Sequence, residues 1–367
     1  MFLCQSFYRN KQADEPCHHR QLPRENAAGV TTNSLCYSYT CCQPLDCLFF
    51  EIKSTFIFQF LNKIKSTFRL SHWLVIFLWG SSPLLAQPAT LAFVSDTQEP
   101  MWVEDLFLRS NRNVEAADLI FKEIVKQTPT QVFILGDVVA LGYKEKKWKE
   151  TDARLKACRD AGIRVSALLG NHDVMMRAKK GEERFRQRFP DQVRTGFVIV
   201  TDSIAVVLLN SNFKKLSTDE AATQQAWLAA TLKELDTNAS VKLVITTCHH
   251  APFSNSKVVG SSESAQEHFL PAFRQSKKAK LFMTGHSHAF EHFNKEGKDF
   301  VVIGGGGGIH QPLREGDSLK DLAPAYKPMF HFVTMTRTTR SLLLSSHFLK
   351  DDFSGFALGY QLELPLD

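Results

Sequence analysis

Five short polar blocks carry side chains able to bind metal ions: Ser95-Asp96-Thr97-Gln98, Gly136-Asp137, Gly170-Asn171-His172-Asp173, His249-His250 and Gly285-His286-Ser287-His288. Any one alone reads as a helix cap or a turn. Two of them say more. Gly285 to His288 places two imidazoles one residue apart, so that each can serve a neighbouring ion. Gly170 permits a tight turn, and Asn171 and His172 beside it are ligand or acid–base groups. Taken in order, the five blocks supply enough oxygen and nitrogen donors for two divalent cations.

Each block lies just after a short apolar run: Leu91 to Val94, Val132 to Leu135, Val165 to Leu169, Leu243 to Ile245 and Leu281 to Met283. Such runs, bounded by turn residues, read as buried strands. Residues just past the carboxyl ends of the strands of an open α/β sheet converge on one crevice. The five blocks are therefore expected to meet in space.

Between the runs, Asn113 to Gln127 sets Val114, Ala117, Ile120, Phe121 and Ile124 at helical spacing. Lys146 to Asp160 repeats the pattern with Trp148, Leu155 and Cys158, and Gly162 sits where a helix cap belongs. Strand–helix–strand repeats predict a parallel sheet with right-handed crossovers. The runs Phe197–Val200 and Ile204–Leu209 flank Thr201-Asp202-Ser203 and read as an antiparallel hairpin. Ser217-Thr218-Asp219-Glu220 opens the next helix as a capping box. Beyond His288, Phe300–Ile303 and Phe332–Leu344 read as strands. With no internal repeat or linker, residues 87–367 are expected to form one mixed α/β domain.

These blocks make the chain resemble the calcineurin-like metallophosphoesterases, a superfamily with exported phosphatases and phosphodiesterases, over about Thr90 to Gly308. The resemblance implies a four-layer α/β/β/α sandwich of two mixed sheets. It also implies hydrolysis of phosphate esters by a hydroxide bridging two metal ions, with Mn, Zn, Fe or Mg as the divalent cations. By position, Asp137 would bridge both ions, Asp96 and His288 would hold one, and Asn171, His249 and His286 the other. His172 would be the general acid, and Asp173 would orient it or its loop. The run Leu208-Leu209-Asn210-Ser211, followed by Gln225 to Leu228, also matches family members, where it is structural.

Two positions depart from the family pattern. Gln98 stands where a second metal-binding His is common, and an amide oxygen binds directly, through water, or not at all. His249 and His250 are adjacent, and the following Ala251-Pro252-Phe253-Ser254 favours His249 as ligand. Ala140, three residues after Asp137, replaces the tyrosinate ligand of the purple phosphatases and argues against their iron chemistry. The run Gly304 to Gly308 either brings backbone N–H groups to a phosphate or allows close packing. The loop Glu99 to Asn113, with Trp102, Phe107, Arg109 and Arg112, is either a lid over the leaving group or a packed surface loop.

Composition narrows the function class. Residues 1–86 hold 8 Lys and Arg against 5 Asp and Glu, leaving 36 against 33 for the remainder. That mild balance, without a basic aromatic groove, disfavours nucleic acid and a nuclease. A small phosphorylated substrate is expected, with a phosphomonoesterase favoured. A phosphodiesterase of the same mechanism, or a catalytically weak metal-binding surface protein, is the alternative.

Six of the eight cysteines lie in the first 47 residues, at spacings that match no zinc pattern. Lys63, Lys65 and Arg69 precede an apolar core, Trp73 to Trp79, and Leu84-Leu85-Ala86 offers a cleavage site. This is the layout of a signal peptide over 63–86, so residues 1–62 read as a non-native or disordered extension. The expected destination is secreted or periplasmic after cleavage near Ala86, with no stable membrane span in the mature chain. Anchorage through 70–85 is the alternative.

Overall fold

A computed structural model describes residues 89–366, apart from 105, 107, 316–318 and 324–328. The Cys-rich segment and the signal-peptide pattern lie outside the described residues. In chain order the elements are β1 (Thr90–Val94), α1 (Asn113–Gln127), β2 (Gln131–Ile134), α2 (Lys149–Asp160), β3 (Arg164–Ala167) and α3 (Ala178–Arg188). There follow β4 (Phe197–Thr201), β5 (Ile204–Leu208), α4 (Thr218–Thr237), β6 (Leu243–Thr247), α5 (Glu263–Gln275) and β7 (Ala279–Thr284). The chain closes with β8 (Phe290–Lys295), β9 (Lys298–Ile303), β10 (His331–Arg337), β11 (Ser341–Leu349) and β12 (Phe356–Pro365).

The strands form two six-stranded sheets, ordered β12-β11-β10-β1-β2-β3 and β4-β5-β6-β7-β9-β8. Both are mixed. β1, β2 and β3 run parallel, whereas β10 joins β1 antiparallel. In the second sheet β5, β6, β7 and β9 are parallel, with β4 and β8 antiparallel at the edges. Alternation of side chains explains the layers. In β1, Leu91 and Phe93 enter a core shared with Val206, Leu208, Ile245, Leu281 and Met283 of the other sheet. Ala92 and Val94 face the opposite way, onto Ile120, Phe121 and Leu155 of α1 and α2. On the far side, Leu228, Leu232, Phe269 and Phe273 of α4 and α5 cover Ala205, Val207, Val244 and Phe282. Burial on both faces is why these strands read as uninterrupted apolar runs. The result is the expected four-layer α/β/β/α sandwich.

Local expectations hold where local chemistry decides. Asp202 and Ser203 both take left-handed φ, 44° and 65°, the twist a tight hairpin between β4 and β5 requires. Ser217 and Glu220 close their capping box at 2.8 and 3.2 Å. Gly162, at φ 75°, follows α2. Two readings change. The run Phe332–Leu344 is two strands, because the Thr338 hydroxyl accepts from the N–H of Arg340 and Ser341 and turns the chain. The helix read from Lys146 begins instead with a 3-10 turn, Glu145–Trp148, that buries Trp148 and bonds its indole N–H to the Gly142 carbonyl.

Candidate metal centre

All five blocks meet at the carboxyl ends of their strands. The first sheet brings the acids and the amide: Asp96 after β1, Asp137 after β2 and Asn171 after β3. The second brings the imidazoles, His249 after β6 and His286 and His288 after β7. Asp137, His249 and His286 form one group whose ligand atoms all lie within 4.8 Å of one another. Asp96, Asp137 and His288 form another, so Asp137 is common to both.

Backbone groups aim each side chain. Asp96 takes the His286 N–H on Oδ2 at 2.9 Å, and Asp137 takes the His172 N–H on Oδ1 at 2.7 Å. The remaining oxygens, Asp96 Oδ1 and Asp137 Oδ2, are buried and have no hydrogen-bond partner. They face the histidines. Asp96 Oδ1 is 3.3 Å from His288 Nε2, and Asp137 Oδ2 is 3.1 Å from His249 Nε2. His249 Nδ1 lies 2.9 Å from the Leu135 carbonyl, and His288 Nδ1 lies 2.6 Å from that of Ile309. Carbonyl bonds of this kind fix the tautomer and leave Nε2 as the donor atom. His286 instead turns Nδ1 toward His249 Nε2, at 3.2 Å, and Asn171 Oδ1 lies 3.1 Å from that same nitrogen.

Strain accompanies this aim. Asp96, Asp137 and His286 hold φ of 59°, 49° and 69°, a left-handed conformation that side chains other than glycine rarely adopt. An unpartnered buried carboxylate oxygen is costly. Two of them among imidazoles, with an amide oxygen nearby, fit a pair of divalent cations.

The charge pattern agrees. Burial would raise the Asp137 carboxyl, but His249 and then His172 overcome it and hold the group below the usual carboxylate range. Burial works against the His249 proton, yet Asp137 and Asp96 raise this imidazole to about 9. His288 is also raised against burial, through Asp96. His286 is pushed well down by burial, with His250 and His249 adding to it. Metal uptake at these imidazoles must release any protons they carry.

The other sequence candidates are placed as follows. Gln98 is buried with its amide 3.3 Å from His288 Nε2. Oriented so that its nitrogen donates to the Asp137 and Asp96 carbonyls, at 2.9 and 3.2 Å, it turns its oxygen to the Asp96–His288 side. His172 lies against the Ala140 carbonyl through Nδ1 at 3.2 Å, and its Nε2 is 3.9 Å from Asp137 Oδ2. Asp173 makes no bond to that ring. Its carboxylate takes the N–H groups of Val138, Val139 and Gly170, at 3.0, 3.3 and 2.9 Å, and so ties the Asp137 loop to the Asn171 loop. Burial, and then Asp137, push Asp173 up to about 8 against those N–H bonds. His250 leaves the ligand group, its Nδ1 bonded to Ser211 Oγ at 2.8 Å.

Glycines 304–308 prove to be packing. All are buried, and a Cβ on Gly308 would lie 2.5 Å from His288 Cε1. Gly306 and Gly308 donate to the Ser95 and Asp96 carbonyls at 2.9 and 2.7 Å, so the run seats the first block. In the loop after Gln98, Trp102 is 77% exposed, while Arg112 pairs with Glu115 and covers the Phe353 ring. Phe107 lies outside the described residues.

One supporting residue carried no sequence signal. Glu291, fully buried on β8, accepts from the hydroxyls of Ser254 and Ser287 at 2.7 and 2.9 Å and from the Asn255 N–H at 2.6 Å. It ties the turn between His286 and His288 to the loop that follows His250.

Comparison with known proteins agrees with this geometry. No protein of curated function matches the sequence significantly. Among solved structures, the purple acid phosphatase PPD1 of yellow lupin (Lupinus luteus) shares 15% identity at a TM-score of 0.58. That likeness covers 75% of this chain and 53% of the lupin chain, so this chain spans about half the lupin enzyme's length. GAP50, the anchor in the inner membrane complex of Plasmodium, matches at 12% identity and TM-score 0.55, over 77% of this chain and 90% of its own. A dimetal phosphatase from Danio rerio matches at 14% identity and TM-score 0.50, over 77% and 100%. At such identities these likenesses speak for the fold. The family model for calcineurin-like phosphoesterases matches residues 89–290, more than half of the chain. The chain therefore belongs to the calcineurin-like phosphoesterase family.

Proposed function

We propose that the chain is a phosphomonoesterase, with residues 87–367 as one catalytic domain. The observation that carries this is the pair of unpartnered buried oxygens, Asp96 Oδ1 and Asp137 Oδ2, facing three imidazoles. Divalent cations bound there supply positive charge to the phosphoryl group and to the charge that develops during displacement. Asp137 stands between the two ligand groups and offsets the repulsion of their cations. Asp96, His288 and the Gln98 oxygen would hold one, and Asn171, His249 and His286 would hold the other. His172 keeps Nδ1 on the Ala140 carbonyl and passes a proton from Nε2 to the leaving oxygen. Asp173 holds the two loops in register. Three imidazoles and neutral amides stand with two available carboxylates, a donor set that favours the dianion of a monoester over the monoanion of a diester.

The test compares nitrophenyl phosphate with bis-nitrophenyl phosphate in Mn²⁺, using wild type and Asp137→Asn. Wild type should prefer the monoester. Asp137→Asn should lose at least a thousandfold in kcat while melting within a few degrees of wild type in chelator. Wild-type rates in that variant would sink the assignment, and faster diester turnover would sink the monoester preference.

Gln98 motivates a second reading, a metal-binding protein with little catalysis, and the likeness to an anchoring protein of Plasmodium supports it. Tightly bound Mn²⁺ without hydrolysis of either ester would decide for it. The same proposal makes the enzyme exported, on the strength of the 63–86 pattern. Among the described residues no helix is long and apolar enough to cross a membrane. Peptides from before Lys63 in mass spectra of the native protein would overturn cleavage near Ala86.

A further inference from the structure

His250 lies beside the centre without belonging to it. Its ring packs on that of His286, with centroids 4.4 Å apart, and edge-on to that of His249 at 5.0 Å. Neither ligand group includes it. What holds the ring is Ser211, from the loop after β5. Ser211 Oγ accepts the His250 backbone N–H at 3.0 Å and lies 2.8 Å from Nδ1 of the same residue. The Cys248 thiol donates to the His250 carbonyl at 3.2 Å.

Ser211 can set the tautomer of the ring. A serine hydroxyl has one hydrogen to give. Given to His250 Nδ1, 2.8 Å away, it makes that nitrogen an acceptor. With Nδ1 accepting, the neutral ring carries its proton on Nε2. That nitrogen has no hydrogen-bond partner among the described residues, and the residue is half-buried, not sealed. Lys214, three residues after Ser211, is exposed. An N–H donor beside the dimetal centre suits an anionic oxygen and not an apolar group.

We infer that His250 donates its Nε2–H to a non-bridging oxygen of the bound phosphoryl group, with Ser211 as the positioning residue that sets this tautomer. The inference rests on the phosphomonoesterase reading and gives the Leu208–Ser211 run a role beyond shaping a turn. It names a hydrogen bond, not a proton transfer, so it should act on substrate binding more than on the chemical step.

The experiment uses full-length chain loaded with Mn²⁺ and three variants: His250→Ala, His250→Gln and Ser211→Ala. Four quantities are measured for each: Kd for inorganic phosphate, kcat and KM for nitrophenyl phosphate, Kd for Mn²⁺, and melting in chelator. Loss of a hydrogen bond to a charged oxygen predicts a rise of about 10- to 100-fold in phosphate Kd and in KM for His250→Ala. Its Mn²⁺ affinity should stay within about threefold of wild type. His250→Gln, whose amide N–H reaches the position of Nε2, should recover most of the loss. Ser211→Ala frees the tautomer and should cost about two- to tenfold in phosphate Kd. Unchanged phosphate affinity in a folded His250→Ala overturns the inference, as does failure of Gln to restore it. A fall in Mn²⁺ affinity matching the fall in phosphate affinity would make His250 a ligand and overturn it too. Should wild type itself bind no Mn²⁺ or hydrolyse no monoester, the underlying reading fails, a result distinct from all of these.

Discussion

Substituting Gly308 by alanine should weaken one half of the metal centre without replacing a ligand. A Cβ built at Gly308 lies 2.5 Å from Cε1, 2.7 Å from Nδ1 and 2.9 Å from Nε2 of His288. Carbon atoms in contact prefer about 3.5–4.0 Å, so the ring must retreat by about 1 Å or more. It cannot retreat freely, because Nδ1 is bonded to the Ile309 carbonyl at 2.6 Å. A shift of about 1 Å stretches that bond to about 3.6 Å, where it no longer counts as one. Losing the outer partner of a metal-binding histidine lowers metal affinity about 10- to 100-fold. Calorimetric titration with Mn²⁺ should therefore resolve one weakened site beside one near wild type. Gly297→Ala is the control. Its φ of 74° makes any side chain costly, about 1 kcal/mol, but nothing lies within 4 Å of the added atom. It should lose stability and keep both sites. Two unchanged Mn²⁺ affinities in Gly308→Ala would refute the claim that the glycine run seats His288.

Metal removal should be felt by the whole domain. Ion at about 100 times its Kd adds about 2.7 kcal/mol, so excess chelator should lower Tm by roughly 5–10 °C; calorimetric melts in Mn²⁺ and in chelator would check this, and identical Tm values would show that the unpartnered oxygens of Asp96 and Asp137 hold no ion. Acid should weaken the metal-free fold through His331, which burial pushes down to about 4. Below about 6.5 the unfolded chain takes up a proton that the folded chain refuses, so this contribution is intact above 6.5 and declines as pH falls toward 4. It is worth on the order of 3 kcal/mol, and denaturant titrations of wild type and His331→Gln should converge as pH falls, with parallel curves telling against it.

The sequence exposes what repeats locally. The apolar runs of β1, β2, β6 and β7 are covered on both faces and stand out as runs, so the polar residues at their ends are legible in the sequence. The Ser217–Glu220 cap and the Asp202-Ser203 turn are three- and two-residue devices, visible for the same reason. β12 was missed because it is an edge strand, half-exposed along its length, with Leu358 56% exposed. Its residues need not be apolar. The choice of His249 over His250 is read from the Ala251-Pro252-Phe253-Ser254 that follows, but the Ser211 contact that holds the His250 ring, 39 residues upstream, leaves no trace there. Glu291 reads as one charge in a strand until the fold brings Ser254, Asn255 and Ser287 around it. The glycine run was ambiguous for a related reason, since whether it meets a ligand or a neighbouring ring depends on what the fold lays against it.

The division of donors between the sheets has a mechanical consequence. Acids and amide come from one sheet and imidazoles from the other, while the His286 amide and the His249 ring already bridge the seam. Sliding one sheet along the other would pull both half-sites apart at once. An occupied centre thus acts as a rivet through the sandwich. Loading it should slow hydrogen exchange in β1 and β2 together with β6 and β7, although no strand gains a new bond within its own sheet.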